Sequence, residues 1–357
     1  MQVYVLDTEL QPVTMIDYAE SVLWFKRYND LGEAELYLQC DNETLSFLRK
    51  GYYLYRYDDD MFCKIKGIKI EESTEDGDYL TVTAVDGAKM LSGRIVWNTI
   101  NFKGTVANFI KKVLNDNIIN PTDKSRQIPN FVIDDDNFAE FTDTISIQCT
   151  HDDVLQLIIE TCKSYNYGFR VFLDVDIGYF VFRLYKGVDR SQPKGDSYVE
   201  FSKKYANILS TNYAYDSGTE KNFVLIGGQG EGSERVYATI GNSSGENRLE
   251  LWVDAKDISK TYQDESGVEQ TYTDEEYQEL LIERGRTKLA EYYAVESFTG
   301  EVDVSDSYEY KTDYDIGDIV AVKNSYGITA AARITEIDES EDNNSGYVVE
   351  PIFEWNS

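Results

Sequence analysis

Apolar and polar residues alternate along most of this chain, and a period of two predicts strands. Met1–Asp7 reads as the first strand, and Ser21–Tyr28 follows. Ala34-Glu35-Leu36-Tyr37-Leu38 alternates strictly, which marks a half-buried strand. The period lengthens to that of a helix in three places. Val106, Phe109, Ile110, Val113 and Leu114 fall on one helical face after Thr105. A second helix is expected from an N-cap at Thr150, with Asp152 and Asp153 in its first turn and a stripe of Val154, Leu157, Ile158 and Cys162. Thr273 and Glu276 have capping-box spacing before a third run to about Tyr293, with Tyr277, Leu281, Leu289 and Tyr292 on its apolar face. Between the helices, Thr144–Thr150 reads as a strand, and Phe169–Leu173 with Tyr179–Tyr185 reads as a hairpin. From residue 201 the pattern returns to β, at Asn207–Tyr215, Asn222–Gly227 and Arg235–Ile240.

One β pattern occurs twice. Gly51, a strand to Tyr55, the run Cys63–Glu72 and the return Tyr79–Thr83 match Gly317, Asp318–Val322, Ala332–Glu339 and Tyr347–Glu350. Gly51 to Ile68 is 17 positions, as is Gly317 to Ile334, so the spacing equates Ile68 with Ile334. Two small β units separated by an α+β segment imply a scaffold with internal symmetry.

Composition narrows the classes of function. The chain has 357 residues, 42% of them hydrophobic and 28 of them tyrosine, enough for two or three packed domains rich in sheet. Against 65 acidic residues stand 34 basic ones, a formal net charge of −31 that repels nucleic-acid phosphates and anionic lipid. Four cysteines without C-x-x-C spacing read as reduced thiols. The N-terminal strand lacks the features of a signal peptide, and no apolar run reaches the ~18 residues of a membrane span.

Candidate chemistry is sparse. His151 is the only histidine, two residues from Cys149, and a nucleophilic pair needs both side chains converging on one point. Gly227-Gly228-Gln229-Gly230-Glu231-Gly232 resembles a phosphate loop but runs into a strand rather than a helix, so a β-turn is expected. Asp58-Asp59-Asp60, Asp134-Asp135-Asp136 and the tip Asp338–Asn344 lack the full ligand pattern of a calcium loop and read as solvated turns. The expectation is therefore no catalytic residue, no cofactor and no metal.

Several segments taken in order resemble a family of bacteriophage tail-hub proteins, the structural N-terminal portion of tail-associated proteins in long non-contractile tails. They are Ser21–Tyr28 with Gly32–Leu38, Met90–Arg94, Tyr185-Lys186-Gly187-Val188-Asp189-Arg190-Ser191, Phe201–Asn207, and Tyr314–Val322 with Arg333–Ile337. The resemblance implies an α+β, mainly β fold with two related small β-barrel domains flanking an α+β lateral domain. It also implies kinship with contractile-tail hubs and the base of the type VI secretion spike. The expected division is 1–98 for the first barrel, 99–200 for the lateral domain, 201–253 with 296–357 for the second barrel, and 254–295 for a helix-bearing insertion. The implied function is the hub ring of a phage or prophage tail tip or baseplate, with a DNA-permissive channel and no enzymatic activity. The chain ends at Ser357 without an appended peptidase or lytic segment, which argues against a lysin role. Expected partners are two further copies in a homo-trimer, a distal tail protein, and tip or receptor-binding proteins. Neither specific nucleic-acid binding nor membrane insertion is expected, and the location is the virion tail tip after synthesis in the bacterial cytoplasm. The rival readings are a cell-wall glycosidase, which needs paired carboxylates, and a carbohydrate-binding receptor module.

Overall fold

Inward-facing apolar residues on alternating strands build the first β unit. The computed structural model describes residues 1–75, 77–192, 197–205, 207–263, 267–299 and 308–356; Ala206 of the resembling segments lies outside them. β1 (Val3–Leu6) and β2 (Pro12–Ile16) form a hairpin, followed by β3 (Ser21–Arg27) and β4 (Glu33–Gln39). A short helix, α1 (Asn42–Phe47), is closed by a capping box between Asp41 and Thr44. β5 (Tyr53–Tyr55), β6 (Phe62–Glu71) and β7 (Tyr79–Asp86) complete the unit in the spatial order β3-β4-β7-β6-β5, with β1 and β2 beyond β5. Val3, Trp24, Leu36, Ile65 and Val82 share one core, so the sheet curls around it.

The lateral unit comprises β8 (Ile100–Thr105), α2 (Val106–Leu114), β9 (Phe131–Asp134), β10 (Thr144–Cys149), α3 (Val154–Tyr165), β11 (Gly168–Asp174) and β12 (Tyr179–Tyr185). Thr105 caps α2 through the Asn108 N–H. The next helix starts later than its sequence implies, because Asp153, not Thr150, is the N-cap. The His151 N–H donates to the Val96 carbonyl and the Val96 N–H to the Asp152 carbonyl, both at 2.8 Å. This pairing holds residues 151 and 152 outside a helix, and His151 has φ +62°.

β13 (Glu200–Ser202) returns the chain to the main sheet and β14 (Asn212–Asp216) follows. The latter is shorter than the expected Asn207–Tyr215, since the Asn207 amide instead bridges Ser202 N and Glu200 O. β15 (Phe223–Gly227), β16 (Tyr237–Ile240) and β17 (Glu250–Asp254) form a separate sheet. After the hairpin of β18 (Thr261–Gln263) and β19 (Glu269–Thr271), α4 (Asp274–Leu289) packs on that sheet. Residues 223–254 therefore do not extend the second β unit: Val224, Ile226 and Val253 are buried against Tyr277 and Leu281 of the helix. β20 (Val295–Thr299), β21 (Ile319–Lys323), β22 (Thr329–Asp342) and β23 (Gly346–Asn356) finish the chain.

The second unit repeats five strands of the first. Its spatial order is β14-β20-β23-β22-β21, the same path as β3-β4-β7-β6-β5. Gly51 and Gly317 share φ +91° and donate to Ile65 O and Ile334 O. Tyr53 pairs with Lys64 as Ile319 pairs with Arg333, and both long strands shift register one step later, at Ile65/Gly67 and Ile334/Glu336. Ile334 thus corresponds to Ile65 and not to Ile68, correcting the alignment drawn from equal spacing. The hairpin of the first two strands is longer in the second copy, with five residue pairs where the first has three, and Ile68 repeats the apolar character of Ile65 farther along its strand. The fold is α+β and mainly β, as expected, and the two related β units share one thirteen-stranded sheet, joined where β22 pairs antiparallel with β3.

Candidate functional site

Three of the segments that carry the family resemblance, Ser21–Tyr28, Tyr185–Ser191 and Tyr314–Val322 with Arg333–Ile337, converge on the joint between the two β units and the lateral unit. Gly187 lies so close to Gly317 that a Cβ there would sit 1.8 Å from the Gly317 carbonyl oxygen, which explains a glycine in that segment. Asp318, buried beside it, accepts from Val188 N at 2.7 Å and from Arg190 Nε at 2.6 Å. Tyr28 closes the same corner: its hydroxyl donates to Asn166 O, its ring meets Tyr185 edge-on, and the Arg333 guanidinium covers it at 4.9 Å. Arg333 also donates to Gly317 O at 2.6 Å. A groove of about 630 Å³ opens there, lined in part by Arg27, Lys163, Arg333, Glu336 and Glu354. Arg27 Nη2 stands 3.1 Å from Glu336.

Beneath the joint runs a buried ionic seam. Lys26 Nζ lies 2.8 Å and Lys311 Nζ 2.9 Å from Asp59 Oδ2. Arg56 reaches Asp58 at 2.6 Å and Glu339 at 3.1 Å, and Glu339 accepts from the Tyr347 hydroxyl. Lys26, Arg56, Asp59 and Glu339 are all buried. Burial pushes the Asp59 carboxyl upward, but Lys26 and Lys311 outweigh it and hold the group well below its ordinary range. Burial opposes the charge on Arg56, and its acidic partners Asp58 and Glu339 more than restore it. Removing one member of such a set leaves a buried charge uncompensated and costs about 3–5 kcal/mol. Asp59 was read in the sequence as part of a solvated turn and the other three were not singled out, although the alternation contained a signal. Lys26 follows Val22 and Trp24, and Glu339 follows Ile337, on the inward side of their strands.

The candidates taken from the sequence do other things. Cys149 is buried in β10, and burial pushes its thiol up to about 12, while His151 is exposed in the turn beyond. The glycine run joins β15 to β16, and Arg235 fills it by donating to Gly227 O, Gly228 O and the Asp254 carboxylate. The Gln229 N–H in the same loop is taken by the Tyr277 hydroxyl. Asp58–Asp60 is not a solvated turn: Asp58 and Asp59 belong to the seam, and Asp60 pairs with Arg170. Asp134 and Asp135 pair with Arg183 and Lys111. Asp342 caps the hairpin tip by accepting from Asn344 N and Ser345 N. Among the described residues, no three histidine, cysteine or acidic side chains cluster as a metal site would require.

Residues 2–353 match the family described as Siphovirus ReqiPepy6 Gp37-like protein. The fold is similar to that of the tail protein from Neisseria meningitidis MC58, at 14% identity over 99% of this chain and 96% of that one, with a TM-score of 0.60. It is also similar to the 43 kDa tail protein of prophage MuSo2 from Shewanella oneidensis, at 11% identity over 99% and 98% of the two chains and a TM-score of 0.58. The prophage tail protein gp18 from Listeria monocytogenes EGD-e aligns at 13% identity over 100% and 95%, with a TM-score of 0.52. No curated protein matches the chain.

Proposed function

The chain belongs to the family of Siphovirus ReqiPepy6 Gp37-like proteins, and we propose that this structural tail protein forms the hub ring closing the distal end of a phage tail tube. The duplication carries the reading: two five-stranded units of one topology lie side by side in one sheet. Three such chains supply six like units around a ring, fitting a six-fold tube on one side and a three-fold tip on the other. Closed symmetric rings also leave no unsatisfied ends. In this reading residues 1–98 and 201–216 with 296–357 serve the ring, while 99–200 and the sheet of 223–254 with the 254–295 insertion stand to its side. The partners are a distal tail protein and tip or receptor-binding proteins, and the destination is the virion.

Charge supports a channel that lets DNA pass. Among the described residues, the sheet face turned away from the core carries Glu33, Glu35, Glu336, Asp338, Glu350 and Glu354 around the two cations Arg27 and Arg333 across β4, β3, β22 and β23. Burial first, and Glu336 next, raise the Asp338 carboxyl, the mark of acids crowded together. Such a lining repels a polyanion instead of binding it. Imaging of the assembled particle tests the proposal together with native mass spectrometry at high concentration. A three-fold ring with this face inward is expected. A stable dimer in the particle, or a channel lined mainly by lysine and arginine, would overturn it. Peptidoglycan degradation by the pure chain, lost on a single carboxylate substitution, would restore the glycosidase alternative.

A further inference from the structure

The joint inside the chain has an unfilled counterpart. β22 pairs with β3 over Glu336–Asp342, beyond the stretch where it pairs with β21. By the repeat, the corresponding stretch of β6 is Gly67–Glu71, and β5 covers only Phe62–Lys64. Among the described residues nothing pairs with that edge. The counterpart of β3 is β14, the terminal strand of the sheet path. Trp24 reaches Ile65 through Ala34 and Ala84, and Tyr213 reaches Ile334 through Phe298 and Phe353, so Tyr213 stands where Trp24 does.

Resting on the ring reading above, we infer that the edge of β6 at Gly67–Glu71 pairs antiparallel with β14 of a second copy of this chain, in the register of the internal joint. Glu339 opposite Trp24 then maps to Ile70 opposite Tyr213, and Ile337 opposite Lys26 maps to Ile68 opposite Tyr215. Burial singles out the same residues. Ile337 and Glu339 are 0% exposed and Lys26 4%, whereas Ile68, Ile70 and Tyr215 are 37%, 47% and 53% exposed in the single chain. Large apolar side chains on an open strand edge invite pairing with another chain, and aliphatic–aromatic cross-strand pairs are favourable ones. Lys69 comes opposite Ala214 on the other face, within diagonal reach of Asp216. The two joints therefore share geometry and differ in chemistry: ionic within the chain, apolar between chains. An apolar joint persists at high salt, because screening weakens only charge pairs.

The test uses the full chain with Lys69→Cys and Ala214→Cys in a Cys40→Ser background, since the other three cysteines are buried. Directly opposed residues in an antiparallel pair lie about 4.5–5.5 Å apart at Cα, within disulfide reach. Oxidation at high concentration is expected to give covalent dimers and trimers that neither single-cysteine variant gives. Ile70→Asp is expected to weaken trimer formation about tenfold or more in sedimentation, with an unchanged unfolding midpoint for the monomer. Wild-type trimer is expected to survive ~1 M salt. A trimer that forms without this cross-link and ignores Ile70→Asp would reject these edges and leave the ring standing. A chain monomeric at every concentration and in the particle would reject both. Cross-linking of the Lys69→Cys variant to a different tail protein in assembled particles would overturn the choice of partner.

Discussion

In the second β unit the long strand continues past its short neighbour and is covered by β3, so its inward residues Ile337 and Glu339 are buried. In the first unit the same half of β6 has no such neighbour among the described residues, and Ile68 and Ile70 remain exposed. The backbone path is the same. What differs is whether the next strand belongs to the same chain. A duplication whose halves pair end to end has one joint satisfied internally and one left over, and that surplus edge is a means of assembly. The filled joint also tolerates buried charge, because Lys26, Arg56, Asp59 and Glu339 arrive already paired within one covalent chain.

The largest expected effect comes from breaking the filled joint. Asp59→Ala leaves Lys26 and Lys311 facing each other with their shared carboxylate gone, and a loss of about 3–5 kcal/mol is expected in urea unfolding. Ile70→Asp, on the unfilled edge, should leave the same curve unmoved. If Asp59→Ala is neutral, the seam is not what holds the units together.

The corrected correspondence can be tested next. Ile65→Ala and Ile334→Ala should each cost about 2–5 kcal/mol, as buried aliphatic truncations do. Ile68→Ala should stay within about 0.5 kcal/mol in the monomer, as at an exposed site. Equal losses for Ile68 and Ile334 would reinstate the alignment by spacing.

A smaller contrast separates the two turn glycines. Both have φ +91°, so alanine at either incurs about 1–2 kcal/mol of left-handed strain. At Gly51 a Cβ meets nothing within 4 Å, while at Gly317 it would lie 2.4 Å from the Tyr28 ring. Gly317→Ala should therefore lower the melting temperature further than Gly51→Ala, and equal shifts would mean that Tyr28 yields freely.

The smallest effect is a slope against pH. Asp338 is raised to about 7, from an ordinary value near 4, by burial first and Glu336 next. A raised carboxyl binds a proton in the folded chain that the unfolded chain has released. Its contribution is complete below about pH 4 and is lost as pH rises toward 7. Asp59 has the opposite sign: held low, it stabilises above about pH 4, and the benefit is lost in stronger acid. Asp338→Asn should flatten the decline between pH 5 and about pH 7 in urea midpoints. A variant that declines as steeply as wild type would assign the slope to another group.

Much of this protein follows from the order of its residues alone. Alternation located most strands, helical spacing located the three longer helices, and the recurrence of one pattern disclosed the duplication. These signals are local, because a side chain's face in a strand or helix depends on its own spacing. The resembling segments Tyr185–Ser191 and Tyr314–Val322 were also recognisable before it was known that they touch. Tertiary structure decided the rest. Equal spacing suggested Ile68 as the partner of Ile334, and only hydrogen-bond register, which depends on a neighbouring strand, identifies Ile65. Strands β15–β17 read like any others, and only the apolar face of α4 takes them out of the second unit. Three aspartates in a row read as a solvated turn, yet Asp59 is buried because Lys26 and Lys311, far away in sequence, come to meet it. Which charges become paired and which edges stay open depends on contacts between distant segments, and residue spacing carries no record of them.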